Sequence, residues 1–293
     1  MRELVVLSGK GGTGKTSLVA SFAAMAPGRI ICDADVDAAD LHLILGPETI
    51  QSNDFISGNT AVIVREKCTG CGRCRELCRF EAIDEGFIVD KVACEGCGVC
   101  VHFCPEKAVE FPENHCGEWY ISETRFGLMA HARLGIAGEN SGKLVTLVRR
   151  QAEQLAREKN VGFILTDGPP GVGCPVIASL GGASAVLIVS EPTVSGNHDM
   201  KRVVELSRFF GVPALLAVNK FDINPGQTEK IEAFAAENSV PVAGRIPFDQ
   251  AFTMAIVNGL TVHEYDPGGD GARAVADLWR NVQIFLAGLP EKQ

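Results

Sequence analysis

Cysteine is the residue type whose number and spacing most directly imply chemistry in this sequence. Eight of the 11 cysteines lie between residues 68 and 104, in two runs that share the spacing CxxCxxCxxxC. The runs are Cys68, Cys71, Cys74 and Cys78, then Cys94, Cys97, Cys100 and Cys104. Thiolates at such short intervals are ligands for zinc or for iron–sulfur clusters, whereas disulfide frameworks are typical of small secreted domains. The two runs therefore predict metal binding.

The repeated spacing resembles that of bacterial two-cluster ferredoxins, in which the fourth cysteine of each run binds the other cluster. This resemblance implies two [4Fe–4S] clusters with crossed ligand sets. Set one is Cys68, Cys71, Cys74 and Cys104, and set two is Cys94, Cys97, Cys100 and Cys78. Glycines inside the runs are expected to keep the turns tight, so that backbone N–H groups point at sulfur.

Alternatives to these clusters stay open. Zinc sites also use CxxC pairs, although usually as two separated pairs rather than two runs of four. A disulfide framework is not expected in a reducing compartment. One departure from the ferredoxin pattern is Arg79, which follows Cys78 where a proline is usual, whereas Pro105 follows Cys104. The uniform spacing favours [4Fe–4S] over [3Fe–4S] clusters.

A second group of residues has the pattern of a phosphate-binding loop. Residues 9–16 read GKGGTGKT, between the apolar segment Leu4–Leu7 and a predicted helix over Ser17–Met25, and they fit GxxxxGK[ST]. Backbone N–H groups and the helix N-terminus face the phosphates in such a loop. We expect Lys15 to reach the β- and γ-phosphates of ATP and Thr16 to bind Mg²⁺. The predicted nucleotide contacts in this loop are Gly9, Lys10, Gly11, Gly12, Thr13, Gly14, Lys15, Thr16 and Ser17.

A further motif follows the apolar segment 161–166 and reads DGPPG over residues 167–171. An aspartate at the carboxyl end of a parallel strand faces the ligand crevice and can hold Mg²⁺ through water. We therefore predict Asp167 as a magnesium group. Gly171 is expected to let the backbone approach the γ-phosphate.

The early lysine of the loop, Lys10, makes KGGTGKT resemble the deviant Walker A loop of ATPases of the MinD, Mrp and nitrogenase iron protein family. In that family this lysine reaches the partner's ATP across a dimer interface, and the resemblance implies the same role for Lys10. It also implies that Asp35 orients the attacking water, that Asp33 lies close to Mg²⁺ and that Asp40 lies near the nucleotide. DGPPG resembles the Mrp-type segment, which is usually DTPPG.

Residues near the adenine base are predicted from later strands. Asn219 ends the apolar segment 214–218, and an amide can read the adenine edge with one donor and one acceptor. The family resemblance also places the loop from Pro247 to Asp249 at the base, so we expect Pro247 and Asp249 to bind nucleotide. A purely structural Asn219 is the alternative.

Three cysteines lie outside the runs. Cys32 ends an apolar segment and is expected to be a small core residue. Cys174 follows Asp167 at the offset of a cluster cysteine in the nitrogenase iron protein. This resemblance suggests a third cluster that bridges two subunits. Such a cluster needs a second cysteine, for which Cys116 is the candidate. A structural Cys174 is the alternative.

The elements that position these residues alternate between apolar strands and helices. They predict an α/β fold with a doubly wound, mainly parallel sheet. We expect residues 1–57 and 118–293 to form the P-loop ATPase domain, and residues 60–112 to form an inserted ferredoxin-type domain. The insert lies between segments 33–40 and 167–171, which resemble the two ATP-sensing switches of the family. With a net charge of −9, the 293-residue chain is a poor candidate for nucleic-acid binding. It has no membrane-span or signal-peptide pattern, so a cytoplasmic location is expected.

Together these features predict a dimeric ATP-hydrolysing iron–sulfur protein, either a homodimer or a heterodimer with a paralogue. It would couple nucleotide state to electron transfer during metal-cofactor assembly on a partner protein. The combination resembles the ATPases that accompany the orange protein and iron–molybdenum-cofactor-type proteins. One alternative is a carrier or scaffold ATPase with iron–sulfur or molybdenum species as cargo. Another is a positioning ATPase of the ParA or MinD kind.

Overall fold

The computed structural model describes residues 1–135 and 141–290. The strands are β1 Arg2–Ser8, β2 Arg29–Asp33, β3 Glu48–Asn59, β4 Val62–Ile63, β5 Val109–Glu110, β6 Glu113–Thr124, β7 Gly127–Leu134, β8 Phe163–Pro170, β9 Ala185–Ser190, β10 Ala214–Asn219 and β11 Val242–Ile246. The helices are α1 Lys15–Met25, α2 Leu41–Leu45, α3 Arg73–Leu77, α4 Val99–Phe103, α5 Ser141–Glu158, α6 Cys174–Leu180, α7 Val194–Phe209, α8 Pro225–Glu237, α9 Gln250–Val257, α10 Val262–Tyr265 and α11 Asp270–Gly288. No helix in this described part is both long and apolar enough to cross a membrane.

Across the described residues, nine strands form one sheet in the order β11-β10-β9-β1-β8-β2-β7-β6-β3. β1 lies parallel to β8 and β9, and the pairs β9–β10, β10–β11, β2–β8 and β2–β7 are parallel as well. Parallel neighbours need long crossover connections, which helices supply here. β6 and β7 are separated by Arg125 and Phe126 alone, a connection that suits a hairpin. The predicted α/β fold with a mainly parallel sheet is confirmed.

Side chains of β1 alternate between two apolar layers, one on each face of the sheet. Leu4 and Val6 pack into the layer that contains α1 and α11, whereas Val5 and Leu7 pack into the layer that contains α7 and α8. All four are fully buried. This alternation follows from the period of two in a strand, and burial on both faces explains the uninterrupted apolar run in the sequence.

The chain divides into two compact units. The first consists of Met1–Asn53, Trp119–Arg133 and the chain from Ser141 onward, and the second consists of Asp54–Glu118 with the segment that begins at Leu134. The first unit contains most of the large sheet. The second contains the eight clustered cysteines, the short helices α3 and α4 and the two-stranded β4–β5 sheet.

Both short helices of the second unit begin in the same way. α3 follows Gly72 at φ 77°, and α4 follows Gly98 at φ 72°. This left-handed backbone favours glycine, because a Cβ atom is strained there. The two cysteine runs thus repeat in structure as well as in spacing.

A buried ion pair joins β1 to α5 in the first unit. Arg149 donates from Nε to Glu3 Oε1 over 3.0 Å, and Thr166 Oγ1 donates to the same oxygen over 2.7 Å. Arg149 also donates to the carbonyl oxygens of Ala178 and Gly181 at the end of α6. A buried charge needs such partners, so this network fixes α5 and α6 against the sheet.

Candidate nucleotide site and cysteine cavities

The phosphate-binding loop lies at the carboxyl edge of the sheet. It follows β1, and the neighbouring strands β8 and β2 bring Asp167 and Asp33 into register with each other. A cavity of about 330 Å³ at this edge is lined by Gly11–Ser17 together with Asp35 and Asp40. This is the crevice in which ligands bind in open α/β sheets.

Lys15 is held by carboxylates at the floor of the crevice. Its Nζ donates to Asp167 Oδ1 over 2.6 Å and to Asp35 Oδ2 over 3.3 Å. Burial lowers the pKa of Lys15, but the charges of Asp167 and Asp35 outweigh that effect and raise this pKa above its ordinary value. The lysine is therefore charged, and a bound triphosphate would compete with the two carboxylates for it.

Three buried carboxylates crowd this floor. Burial and the charge of Asp167 raise the pKa of Asp33 well above its usual range. Burial likewise raises the pKa of Asp35, to about 6, although Lys15 opposes the shift. Each carboxylate keeps one buried oxygen without a hydrogen-bond partner, namely Asp33 Oδ2, Asp35 Oδ1 and Asp167 Oδ2. Hard oxygen donors of this kind suit Mg²⁺, and Thr16 lines the same cavity.

Lys10 is bound within its own chain. Its Nζ donates to Thr193 Oγ1 over 3.1 Å and pairs with Glu191 Oε2 at 3.2 Å. The other oxygen of Glu191 pairs with Lys220, which also donates to the Gly12 carbonyl. Sequence reasoning missed Glu191, because this residue comes next to the loop only where β9 ends beside β1.

Asn219 forms a hydrogen bond with the phosphate-binding loop. Its Nδ2 donates to the Thr13 carbonyl over 2.7 Å, and its Oδ1 accepts from the Lys220 N–H over 3.0 Å. A Cβ atom on Gly14 would lie 2.4 Å from that Nδ2, so the loop needs glycine at this position. These contacts show a structural role for Asn219, and a contact of its amide with adenine stays a prediction.

Two other predicted nucleotide residues have structural partners as well. The Gly171 N–H donates to the Ser8 carbonyl over 2.8 Å, so this donor is not free for a phosphate. Asp249 caps α9 by accepting from the Ala251 N–H over 2.8 Å. That these two residues also bind nucleotide stays a prediction. Gly9, Pro247 and Asp249 do not line the 330 Å³ cavity.

The eight clustered cysteines surround two cavities in the second unit. One is lined by Cys68, Cys71, Cys74 and Cys104, and the other by Cys78, Cys94, Cys97 and Cys100. These are the sets named above as set one and set two. The remaining walls are largely apolar, with Phe87 beside set one and Phe80 and Phe111 beside set two.

The chemistry of these cavities fits a thiolate-bound metal or cluster. Burial raises the pKa of Cys74 and of Cys100, and neighbouring thiolates add to both shifts. A positive metal centre offsets such repulsion, because it binds the deprotonated form. The Ala108 N–H donates to Cys104 Sγ over 3.2 Å, as backbone amides do around iron–sulfur clusters. Four cysteines around each cavity also satisfy a zinc site.

The other cysteines differ in exposure. Cys32 is fully buried in β2, and burial raises its pKa. Cys174 is exposed where α6 begins. Cys116 is buried in β6, and its thiol donates to the Ser57 carbonyl over 2.9 Å. Cys174 is thus exposed and Cys116 enclosed, and a cluster that these cysteines would hold between two subunits stays a prediction.

Comparison with known proteins supports the nucleotide site. The family model described as "CobQ/CobB/MinD/ParA nucleotide binding domain" matches residues 4–262. An uncharacterized protein of Methanocaldococcus jannaschii is 32% identical over 287 residues, which cover 97% of each chain.

Solved structures of similar fold include two MinD proteins. MinD from Pyrococcus horikoshii OT3, complexed with Mg-ADP, has a TM-score of 0.60 at 20% identity, over 98% of this chain and 97% of that chain. The MinC:MinD cell division complex of Aquifex aeolicus gives a TM-score of 0.57 at 18% identity, over 100% of this chain and 99% of that chain. The chain therefore belongs to the CobQ/CobB/MinD/ParA family of P-loop ATPases and has a MinD-like fold.

Proposed function

We propose that this ATPase is a dimeric iron–sulfur protein that couples its nucleotide state to electron transfer during metal-cofactor assembly on a partner protein. The observation that carries the proposal is the presence of two four-cysteine cavities in the chain that holds the P-loop crevice. The crossed sets match the ligand pattern of two [4Fe–4S] clusters. Such clusters would supply one-electron redox chemistry, which the ATPase residues alone do not have.

Mg-ATP binding would rearrange the floor of the crevice. The phosphates would draw Lys15 from its two carboxylates, and Asp167, Asp33 and Thr16 would hold Mg²⁺. Asp35, released from Lys15, would then orient the attacking water. These steps would use the three buried carboxylate oxygens that have no hydrogen-bond partner, on Asp33, Asp35 and Asp167.

Dimerisation would involve Lys10. This residue must leave Glu191 and Thr193 before its ammonium can reach the nucleotide of a partner subunit. A lysine in that position would stabilise the charge that develops on the transferred phosphoryl group. Hydrolysis would then require two subunits, either two copies of this chain or this chain with a paralogue.

Anaerobic purification tests the proposal directly. We expect eight irons per chain and an EPR signal of reduced [4Fe–4S] clusters that changes when Mg-ATP is added. Zinc in place of iron would refute the redox function. An EPR spectrum that is the same with and without Mg-ATP would refute the coupling.

A carrier or scaffold function is the first alternative, and the same iron analysis separates it. Stable iron through repeated turnover supports electron transfer. Loss of iron to an acceptor protein when ATP is added supports cargo. In the cargo reading the exposed Cys174 is the residue placed to contact a labile metal species.

A positioning function is favoured by one observation, which is the likeness to MinD structures. This function predicts nucleotide-dependent association with a surface such as a lipid vesicle or DNA. Sedimentation with anionic vesicles and with plasmid, each with ATP and with ADP, measures that association. Co-sedimentation that requires ATP would support positioning over redox coupling.

A further inference from the structure

The duplicated cysteine runs provide matched positions at which the two cavities can be compared. Cys68 corresponds to Cys94, Cys71 to Cys97 and Cys74 to Cys100. The residues between these ligands then correspond as well, and several of them line the cavities. Differences between the two sets can therefore be read position by position.

Two matched positions carry a charged residue in one set and an uncharged residue in the other. Thr69 lines the set-one cavity where Glu95 lines the set-two cavity. Arg73 lines the set-one cavity, and its counterpart in the set-two cavity is Val99. Both charged side chains are exposed, so solvent screens them to a similar degree.

A third matched pair places a negative charge in the lining of set one. Glu106 lines the set-one cavity, whereas its counterpart Phe80 lines the set-two cavity. Glu106 balances Arg73, so the charged lining of set one is neutral in total. Glu95 leaves the lining of set two with a net negative charge.

Reduction adds one negative charge to a cluster, so nearby charges and N–H donors set its potential. A negative carboxylate such as Glu95 disfavours reduction, whereas a guanidinium such as Arg73 favours it. The Ala108 N–H donated to Cys104 Sγ acts in the same direction as the guanidinium.

We infer that set one forms the site of higher reduction potential and set two the site of lower potential. An electron from a low-potential one-electron donor then resides mainly at set one. Set two becomes reduced only when a second electron is supplied. This inference rests on the proposed function, since it requires a cluster at each set.

Redox titration of the anaerobically purified full chain tests the assignment. With dithionite as reductant and EPR as the readout, we expect two separate one-electron steps. We expect set one to be favoured about tenfold in the singly reduced protein, which corresponds to ~59 mV for one-electron couples. Iron content is measured on every sample, so loss of clusters is seen separately from a change in potential.

The test variants exchange residues between matched positions of the two cysteine runs. Glu95→Thr installs the residue that set one carries, and we expect it to raise the lower potential alone. Arg73→Val installs the residue that set two carries, and we expect it to lower the upper potential alone. Either substitution gives the two linings the same total charge, so each should reduce the tenfold preference to about threefold or less, with the Ala108 N–H as the remaining difference. Glu113→Gln removes an exposed carboxylate that lines neither cavity, and it should leave both potentials unchanged.

Two results would overturn the inference. One is a single midpoint potential for both clusters in the unmodified protein. The other is a Glu95→Thr variant that moves the upper potential instead of the lower one. A chain that takes up no iron would instead refute the proposed function, and the iron measurement distinguishes that failure from the other two.

Discussion

The nucleotide crevice and the cysteine cavities differ in how far apart in the sequence their residues lie. Lys15, Asp35 and Asp167 come from distant parts of the sequence and meet because β1, β8 and β2 are neighbours. The cysteines of each run follow one another at fixed short intervals, and only Cys78 and Cys104 cross to the other set. The crevice therefore depends on the sheet, whereas the cavities depend on local spacing.

The two regions also differ in what stabilises them. The crevice lies on a sheet with apolar layers on both faces, and this support holds several charged groups out of water. The cysteine-rich unit has five-residue helices and a two-stranded sheet, and its large apolar residues Ile88 and Val92 are exposed. A unit with so small a core is typical of domains that need metal for their stability.

Metal removal should produce the largest difference between the two regions. Structural metal sites contribute about 10 kcal/mol or more to the folding of small domains. If the proposed clusters are present, chelation of their iron should therefore abolish amide-exchange protection in residues 60–112 and leave α1 and β1 protected. Hydrogen exchange followed by mass spectrometry measures both regions in one sample. If protection of residues 60–112 survives complete iron removal, the unit does not depend on metal.

The next largest effect is expected inside the crevice, from Lys15→Ala. This substitution leaves Asp35 and Asp167 buried without their cation, which costs about 3–5 kcal/mol for a broken buried pair. Urea unfolding at pH 8 should show this loss, and it should shrink at pH 5, because Asp35, with its pKa raised to about 6, is then protonated and needs no cation. Lys230→Ala, at an exposed position in α8, is the matched control and should unfold like the unmodified chain. Equal stability of the two variants at pH 8 would contradict the account of the crevice.

Lys10→Ala probes the contribution of a second subunit to the crevice. Loss of one preorganised donor to a reacting phosphoryl group costs about 10²–10³-fold in rate. We expect ATP hydrolysis to fall by that factor while ATP binding persists, because Lys10 contacts Glu191 and Thr193 within its own chain. Steady-state hydrolysis and equilibrium dialysis with a nucleotide analogue measure the two quantities. Hydrolysis at the full rate would rule out the role of Lys10 across a dimer.

The pH dependence of the crevice is the smallest effect expected. The pKa of Asp35 is raised from 3.8 to about 6, so the folded chain binds this proton more tightly than the unfolded chain does. Stability from this group therefore falls as pH rises from about 4 to 6. Hydrolysis should rise through the same window, because the ionised carboxylate orients water. A pH profile of kcat/KM, compared with that of Asp35→Asn, checks the assignment. An identical rise in that variant would assign the ionisation to another group.

Many residues of the crevice could be predicted from the sequence because each of its motifs is a short continuous segment. The glycine loop and the aspartates that end apolar segments predicted the strand edge at which Lys15 and Asp167 meet. Glu191 and Arg149 could not be predicted, because their importance depends on which strands and helices become neighbours. The structural roles of Gly171 and Asp249 were missed for the same reason, since their partners Ser8 and Ala251 were not recognised from pattern alone.

For the cysteine-rich region, the ligand sets were predicted but part of the surrounding secondary structure was not. Their crossed arrangement was implied by the resemblance to two-cluster ferredoxins, and in the structure each set lines one cavity. The long strand β3, which precedes the cysteine-rich segment, was not expected. Its sequence lacks a clear alternation of apolar and polar residues, which is the signal by which strands are predicted.

The ends of that segment are fastened together where it leaves β3 and enters β6. Asn59 Nδ2 donates to the Phe111 carbonyl over 2.9 Å, and the Thr60 N–H donates to the Pro112 carbonyl over 3.3 Å. Asn114 Nδ2 adds a third bond, to Thr60 Oγ1 over 2.8 Å. Hydrogen bonds within the segment therefore hold its two ends together. Loop-closure entropy grows slowly with length, so grafting residues 59–114 onto the hairpin of an unrelated protein should cost that host little stability and give it the capacity to take up iron.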